Sequence, residues 1–542
     1  MGCCCCPPPG RGRSRPATGC LVILMPQAPR LPPDSRRAGQ TTWFFVLCAL
    51  SGALYASLFP PLGWNALAWV ALVPFFVACS RLTPLQAAGG GLLWALAATI
   101  GIAWWLPETL SRYFSVSPTA AWAGFAAIGV VMDGLPYAAL GAWLAWLSRR
   151  RAPSGWAVGA AWAVAEWARV HAWLGNPFGL LAYSLHETPF AQLADLAGPY
   201  GVGALVAGVN ASLASVVAAE WRPTRPRLAL AGAAATLVAA FAYGELRLTQ
   251  PVGEGPPIRV AVVQTGIARE RTGNPALSDS RLERTLALTR VAAKARPDLI
   301  FWPEFSIDFY LRDPTRERDE LLAAARGLDT ELVLGAPDYR MAGSAPAQPH
   351  FYNSVFLLRG GELAGRHDKL RLVPFAEYGP LGDFLRADTA RYEPGEAPGL
   401  LDARRARIGA FLCGEALYPD LVRALVRAGS ELLANPSNDD WRGEPSAAAQ
   451  QVQIAAFRAI ESRRWVVRAT PTGTSAVIDG HGRVRAASRF KASDLLHASV
   501  YRSRVLSPYQ LIGDAGCGLA LALVVGFSCS SALRRSTNRA WR

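Results

Sequence analysis

The feature that most constrains the fold of this chain is a series of long apolar runs. A helix needs about 20 apolar residues to cross a lipid bilayer, and eight runs approach or reach that length. The fifth run is the weakest, because Glu166 and Arg169 interrupt it. We predict one membrane span for each run, at about 42–59, 64–80, 86–106, 119–148, 154–171, 192–219, 227–246 and 509–530.

A stretch of ordinary soluble composition, residues 250–507, separates the seventh run from the eighth. The whole chain is 51% hydrophobic and 18% charged, which is too apolar for a soluble enzyme and too charged for a membrane bundle alone. Within this stretch, strand-like segments such as Ile258 to Thr265 and Asp298 to Trp302 alternate with helical patterns such as 277–295. The sequence therefore predicts an α-helical membrane bundle joined to an α/β domain.

Four segments follow from these patterns. Residues 1–40 form a Pro/Arg-rich tail that we predict to be disordered. The tail begins like a lipidation site at Met1-Gly2-Cys3, although a true start at Met25 explains it equally well. Residues 41–249 hold seven predicted spans, 250–507 form the soluble domain, and 508–542 hold the last span and a short tail.

The positive charge of the chain is placed at the ends of apolar runs. A formal net charge of +15 is compatible with nucleic-acid binding, but the arginines flank alternate connections between the predicted spans. By the positive-inside rule both termini are then cytoplasmic, and residues 250–507 lie outside the cytoplasm. This topology requires an odd number of spans before residue 250, so the weak fifth run must also cross.

Cys413 is the only cysteine of the soluble stretch. The other nine lie in the tail or in apolar runs, so Cys413 has no disulfide partner within its domain and no Cys/His cluster that would predict a metal site. It follows a buried strand, where a lone cysteine is more often inert core than a nucleophile. Two further segments change that interpretation.

Glu304 and Lys369 each follow a strand-like segment. Glu304 ends Leu299-Ile300-Phe301-Trp302-Pro303-Glu304, which exposes a carboxylate where the sheet opens. Lys369 is one of three lysines, with Lys294 and Lys491, in a chain that otherwise uses arginine. Retention of lysine at this position indicates a need for a compact ammonium.

Glu304, Lys369 and Cys413, in that order, resemble the Glu-Lys-Cys triad of the nitrilase superfamily. The fused membrane bundle narrows the resemblance to the apolipoprotein N-acyltransferase family, over residues 45–535. The order and spacing of several short blocks carry this resemblance: Val263-Gln264, Trp302-Pro303-Glu304, Leu372-Val373-Pro374-Phe375-Ala376-Glu377-Tyr378, Asn438-Asp439-Asp440-Trp441, Arg458 to Arg463, Thr472 to Ser475, Leu58 to Pro61, and Asn176 to Gly179.

The resemblance implies an α-β-β-α sandwich for the soluble domain and a reaction in two steps. Cys413 would take an acyl group from a phospholipid as a thioester and pass it to the N-terminal amine of a diacylglyceryl-modified prolipoprotein, the last step of lipoprotein maturation. Glu304 would act as general base, and Lys369 with the backbone N–H after Cys413 would stabilise the oxyanion. Supporting positions implied by the family are Glu377, Glu415 and Trp441.

The same resemblance implies a bacterial inner-membrane location with the catalytic domain in the periplasm. We expect no cofactor, no metal, because the histidines form no spaced cluster, and no nucleic acid, because the arginines flank apolar runs. The partners that the resemblance implies are the phospholipid donor, the prolipoprotein acceptor and the bilayer itself. Two positions depart from the family pattern. Gly414 replaces an aromatic residue beside the cysteine, and Gly273 stands where a tryptophan is usual. These changes favour an alternative, a membrane-anchored nitrilase-type amidase or an acyltransferase for another amine; a catalytically inactive scaffold is a third.

Overall fold

The computed structural model describes residues 33–114, 116–172, 175–218, 226–268, 275–342, 348–374, 377–378 and 392–540. Most of the tail predicted to be disordered, and the Gly273 position, lie outside these ranges. Residues 44–542 form one compact unit. Within the described residues, nine α-helices precede the α/β domain: α1 (Pro33–Ala56), α2 (Val73–Arg81), α3 (Pro84–Ile102), α4 (Leu106–Phe114), α5 (Pro118–Ile128), α6 (Leu135–Ser148), α7 (Gly155–His171), α8 (Ala194–Val217) and α9 (Pro226–Thr249).

Helices cover all seven apolar runs predicted before residue 250. By length and composition, four of the described helical segments are able to cross a membrane: 84–102, 118–148, 189–217 and 227–249. Two apolar helices, at 65–81 and 515–531, are shorter. The membrane character of the chain is therefore confirmed, whereas the full set of eight spans stays a prediction.

Close helix packing in the bundle depends on small residues and a buried aromatic cluster. A Cβ on Gly91 would lie 2.2 Å from the Tyr137 carbonyl oxygen, so only glycine lets α3 approach α6 this closely. The Trp94 ring lies 4.6 Å from the Tyr137 ring and 5.4 Å from the Trp162 ring. Gly91 therefore serves the close packing of α3 against α6.

The α/β domain contains two six-stranded sheets. The first has the strand order β12-β1-β2-β3-β4-β5, and the second has the order β11-β10-β9-β8-β7-β6. In chain order the elements are β1 (Glu254–Gln264), α10 (Pro275–Ala293), β2 (Leu299–Phe301), α11 (Arg316–Arg326), β3 (Glu331–Ala342), β4 (Gln348–Arg359), β5 (Glu362–Asp368), β6 (Leu400–Asp402), β7 (Arg407–Ala410), α12 (Pro419–Arg427), β8 (Leu432–Pro436), α13 (Pro445–Ser462), β9 (Val466–Ala469), β10 (Ala476–Ile478), β11 (Val484–Ala487) and β12 (Asp494–Arg502).

Alternating side chains of β1 show how the layers form. Val260 and Val262 join the core between the two sheets, whereas Ala261 and Val263 pack toward α10 and α11 on the outer face. On the far side, α12 and α13 cover the second sheet and share one apolar core with the bundle. The α-β-β-α layering expected for this domain is therefore present.

Buried ionic contacts join α13 to the helical bundle. The Arg463 guanidinium donates to Asp195 over 2.6 and 2.9 Å and to Gln192 over 2.8 Å. Six residues earlier in the chain, the Phe457 ring lies 5.1 Å from the ring of Tyr183. The chain then returns through α14 (Pro508–Ile512) to the final helix α15 (Ala515–Ala540), which packs on α7.

Candidate active site

Three strand ends bring the predicted triad to one edge of the sandwich. Glu304 follows β2, Lys369 follows β5 directly, and Cys413 begins a short 3₁₀ helix, 413–417, just after β7. The Lys369 Nζ lies 3.1 Å from Glu304 Oε1, and both charges act on the Cys413 thiol. The structure therefore brings together the three residues that the sequence singled out.

Lys369 is held between two carboxylates. Its side chain is 1% exposed, and Nζ lies 2.9 Å from Glu377 Oε1 as well as 3.1 Å from Glu304 Oε1. Burial lowers the pKa of Lys369, but the carboxylates of Glu304 and Glu377 together raise it by more, so its pKa lies well above the ordinary value. Lys369 is therefore a permanent ammonium, suited to stabilising negative charge and unsuited to acting as a base.

Asn353 of β4 completes this cluster, and sequence reasoning missed it. Its Nδ2 donates to Glu304 Oε1 over 2.7 Å and to Glu377 Oε1 over 2.8 Å. Two carboxylates this close repel each other unless donors lie between them, and Asn353 and Lys369 supply those donors. The available signal was an amide side chain inside a strand-like segment, Tyr352-Asn353-Ser354-Val355.

Gly335 of β3 is a second residue that sequence reasoning missed. A Cβ at this position would lie 2.6 Å from the Glu304 Cα. The Gly335 N–H donates to the Pro303 carbonyl over 3.1 Å, and the Ser306 N–H donates to the Gly335 carbonyl over 2.9 Å. The absence of a side chain at residue 335 thus lets β3 fix the backbone on both sides of Glu304.

The Cys413 backbone adopts a conformation that side-chain-bearing residues rarely use. Its φ is 46°, in the left-handed region, and its side chain is buried with Sγ 3.7 Å from the Asn438 carbonyl oxygen. Strained conformations of this kind occur where a nucleophile is presented at a sharp strand-to-helix turn. This observation separates Cys413 from an ordinary core cysteine.

The resting form of Cys413 is the neutral thiol. Burial and, after it, the charge of Glu304 raise the pKa of the Cys413 thiol to about 11, against smaller opposing effects of Arg442 and Lys369. The nearby cation therefore does not create a thiolate by itself. A base must remove the thiol proton during the reaction, and Glu304 is the carboxylate with the largest electrostatic effect on the thiol.

Glu415 has a positioning role in this geometry. Its Oε1 accepts hydrogen bonds from the Leu370 and Arg371 N–H groups over 2.6 and 2.9 Å, and its Oε2 accepts one from Leu412 over 2.6 Å. Burial raises the pKa of Glu415 to about 7, while Lys369 and these N–H donors oppose that effect. Glu415 thus ties the segment after Lys369 to the segment that carries Cys413.

Trp441 lies on the active-site loop, defined here as residues 438–443, which borders the helical bundle. Its ring lies 6.4 Å from that of Trp105, and the Arg442 guanidinium lies 4.4 Å from its centre. Asp439 fixes the loop by accepting from Arg442 and from Arg468 of β9, each over 2.5 Å. The side of the site that faces the bundle is therefore lined by aromatic rings.

Gly414 leaves space beside the nucleophile. A Cβ there would lie 3.5 Å from Val373 Cγ2, an ordinary van der Waals contact, so the backbone does not demand glycine. The missing aromatic side chain therefore changes the lining of the site without changing its backbone.

Comparison with known proteins matches both halves of the chain. The family described as "Apolipoprotein N-acyltransferase N-terminal domain" matches residues 51–212, and the family described as "Carbon-nitrogen hydrolase" matches residues 259–507. Among solved structures, Saccharomyces cerevisiae Nit3, "a member of branch 10 of the nitrilase superfamily", is similar with a TM-score of 0.37 and 18% identity, over 49% of this chain and 96% of that chain.

Relatives named apolipoprotein N-acyltransferase match nearly the full length. The one from Geobacter metallireducens is 34% identical over 506 residues, which cover 90% of this chain and 95% of the relative. This chain belongs to the apolipoprotein N-acyltransferase family. Family members from Caulobacter vibrioides and Methylococcus capsulatus are 31% and 29% identical, over 78% and 91% of this chain and 82% and 97% of theirs. The resemblance inferred from the short sequence blocks is confirmed.

Proposed function

We propose that this protein is an acyltransferase that moves a fatty acyl group from a membrane phospholipid to the N-terminal amine of a diacylglyceryl-modified prolipoprotein. Membership of the apolipoprotein N-acyltransferase family supports the reaction. The observation that carries the mechanism is the strained, buried Cys413 at the Glu304–Lys369–Glu377 cluster. A buried thiol with a raised pKa needs a neighbouring base, and a buried ammonium is placed to stabilise an oxyanion.

The first half-reaction forms a thioester. Glu304 accepts the Cys413 proton as Sγ attacks the ester carbonyl carbon, and Lys369 with the Gly414 N–H stabilises the resulting oxyanion. When the tetrahedral intermediate collapses, the C–O bond breaks and the lysophospholipid oxygen takes the proton back from Glu304. Acyl-Cys413 and a lysophospholipid with a free hydroxyl group remain.

The second half-reaction forms the amide. The acceptor amine attacks the thioester carbonyl, Glu304 accepts a proton from the nitrogen, and the same donors stabilise the oxyanion. The C–S bond then breaks, and Cys413 recovers its proton from Glu304. A thioester suits this middle position, because it forms from an ester and remains reactive toward an amine.

The location that fits this chemistry is the bacterial inner membrane, with residues 250–507 in the periplasm and both termini in the cytoplasm. The placement of arginines beside alternate apolar runs supports this topology. So does the aromatic lining of the active site where it meets the bundle, because both substrates are anchored in the outer leaflet.

A two-substrate assay with the purified full-length protein tests the proposal. We expect labelled phospholipid plus a diacylglyceryl-cysteine peptide to yield the N-acyl peptide, and Cys413→Ala to yield none. Gly327→Ala, a control far from the site where a Cβ meets nothing closer than 3.5 Å, should keep full activity. Transfer to simple amines or hydrolysis of amides, without transfer to the peptide, would instead identify the alternative amidase or acyltransferase function.

A further inference from the structure

The helical bundle contains buried charges that the cysteine mechanism does not use. Asp133, Glu166 and Arg169 are 1%, 0% and 4% exposed, in helices of a chain that spans a membrane. Ionisable groups in such a setting cost several kcal/mol unless they bind one another or a specific partner, so each needs a structural or functional reason. Asp133 also lies in a six-residue π-helical turn, Gly129–Gly134, a distortion that is frequent at functional sites.

The partner of these charges is the irregular backbone that follows α7. The Asn176 Nδ2 donates to both Asp133 carboxylate oxygens over 3.0 Å, and Asn176 Oδ1 accepts from the Phe178 N–H over 3.1 Å. The Arg169 Nη2 donates to the Phe178 carbonyl over 2.7 Å, while Nη1 lies 3.6 Å from Asp133 Oδ1. Non-helical backbone inside a membrane domain requires such donors and acceptors. Asp133 and Arg169 together therefore fix residues 176–178.

This backbone holds the Phe178 ring toward the active-site loop. The ring lies 6.5 Å from the ring of Trp105, which itself lies 6.4 Å from the ring of Trp441. The Arg442 guanidinium lies 5.8 Å from the Phe178 ring. Arg442 belongs to the loop whose Asn438 carbonyl lies 3.7 Å from Cys413 Sγ. A continuous series of contacts thus links the buried charges to the nucleophile.

We propose that Asp133 and Arg169 are positioning residues for the phospholipid donor. They hold Phe178 so that it forms, with Trp105 and Trp441, an aromatic wall that receives the acyl chain beside Cys413. The inference rests on the proposed function, since it names how that same site binds its lipid substrate. Thr99 supports the arrangement by donating to Asp133 over 2.7 Å.

Acyl-enzyme formation at varied mole fractions of phosphatidylethanolamine in detergent micelles tests this inference. For Asp133→Asn we expect the mole fraction at half-maximal rate to rise about tenfold, with the maximal rate changed less than about threefold. Arg169→Lys is a second variant with the same expectation, because an ammonium cannot reproduce the forked contacts to Phe178 and Asp133. If both variants fold and keep the wild-type half-saturation point, the inference is overturned. Absence of acyl-enzyme in the wild type would instead refute the proposed function itself.

A double-mutant cycle shows whether Asp133 acts through Phe178. Phe178→Ala should raise the half-saturation point, and adding Asp133→Asn to it should raise it no further. If the half-saturation point of the double variant rose by the product of the two single-variant fold-changes, the inference would be overturned. Asn210→Ala is the matched control, because Asn210 is equally buried in the bundle but contacts Leu72, Ala68 and Val206. Asn210→Ala should lower the Tm and leave the phosphatidylethanolamine mole fraction at half-maximal rate unchanged. A rise of that mole fraction in Asn210→Ala would show that any destabilisation of the bundle weakens lipid binding, which would contradict a specific role of Asp133.

Discussion

The Lys369 Nζ lies 2.9 Å from Glu377 Oε1, closer than it lies to Oε1 of Glu304 at 3.1 Å. The ammonium is thus anchored by Glu377 as well as by Glu304, and Glu304 is the carboxylate with the largest electrostatic effect on the Cys413 thiol. We therefore expect Glu304 to exchange protons with Cys413 and Glu377 to hold Lys369 in place.

Lys369→Arg should abolish turnover although it keeps the positive charge. The guanidinium is larger and planar, and the lysine site is 1% exposed with carboxylates on two sides. Loss of an oxyanion donor of this kind typically lowers kcat by about 10²–10³. Steady-state transfer rates measure the effect, with the exposed Lys294→Arg as the control that should retain full activity. Activity within threefold of wild type in Lys369→Arg would contradict the oxyanion role.

Asn353→Leu should impair both stability and catalysis. The substitution is nearly isosteric but removes two hydrogen bonds to buried carboxylates, at 2.7 and 2.8 Å. Hydrogen bonds to charged groups contribute about 1.5–3 kcal/mol each, so the Tm should fall and kcat should drop by at least about tenfold. Thermal unfolding in detergent and initial rates report the two effects. An unchanged kcat in the folded variant would show that Asn353 does not hold Glu304 in place.

Gly335→Ala should displace Glu304 through the backbone. The new methyl group would begin 2.6 Å from the Glu304 Cα, a distance that forces β3 or the Glu304 segment to shift. A misplacement of about 1 Å near the reacting atoms costs about 10²-fold in rate. Gly327→Ala serves again as control, and transfer kinetics provide the measurement. If Gly335→Ala were as active as Gly327→Ala, the packing of β3 would not determine the position of the base.

The alkylation rate of Cys413 by iodoacetamide should rise with pH well above neutrality. Burial raises the pKa of this thiol to about 11, so the thiolate fraction grows about tenfold for each pH unit between 7 and 9. Peptide mass spectrometry after brief exposure follows the modification at Cys413. A rate independent of pH across this range would mean that the resting group is already a thiolate.

The sequence predicted the triad because Glu304, Lys369 and Cys413 each follow a strand-like segment and, in that order, resemble the Glu-Lys-Cys triad of the nitrilase superfamily. It did not predict Asn353, Gly335 or Arg442, whose roles depend on tertiary contacts. Gly335 matters only because β3 runs beside the backbone of Glu304, and no local pattern encodes that distance.

In the helical bundle, too, the sequence predicted local structure but not tertiary contacts. The apolar runs predicted where helices form, and the structure contains a helix at each run. Of the described helical segments, four have the length and composition of a membrane span. The sequence places Asp133 within an apolar run and does not by itself assign it a role. Its contacts with Asn176 depend on the path of a loop 43 residues away, which periodicity does not reveal.

Intact-mass analysis of the protein incubated with a single defined phosphatidylethanolamine, without acceptor, tests the central claim most directly. We predict one added acyl group, mapped to Cys413, labile to hydroxylamine as a thioester and absent in Cys413→Ala. A protein that transfers acyl groups to the diacylglyceryl peptide while never carrying an acyl group on Cys413 would contradict the account.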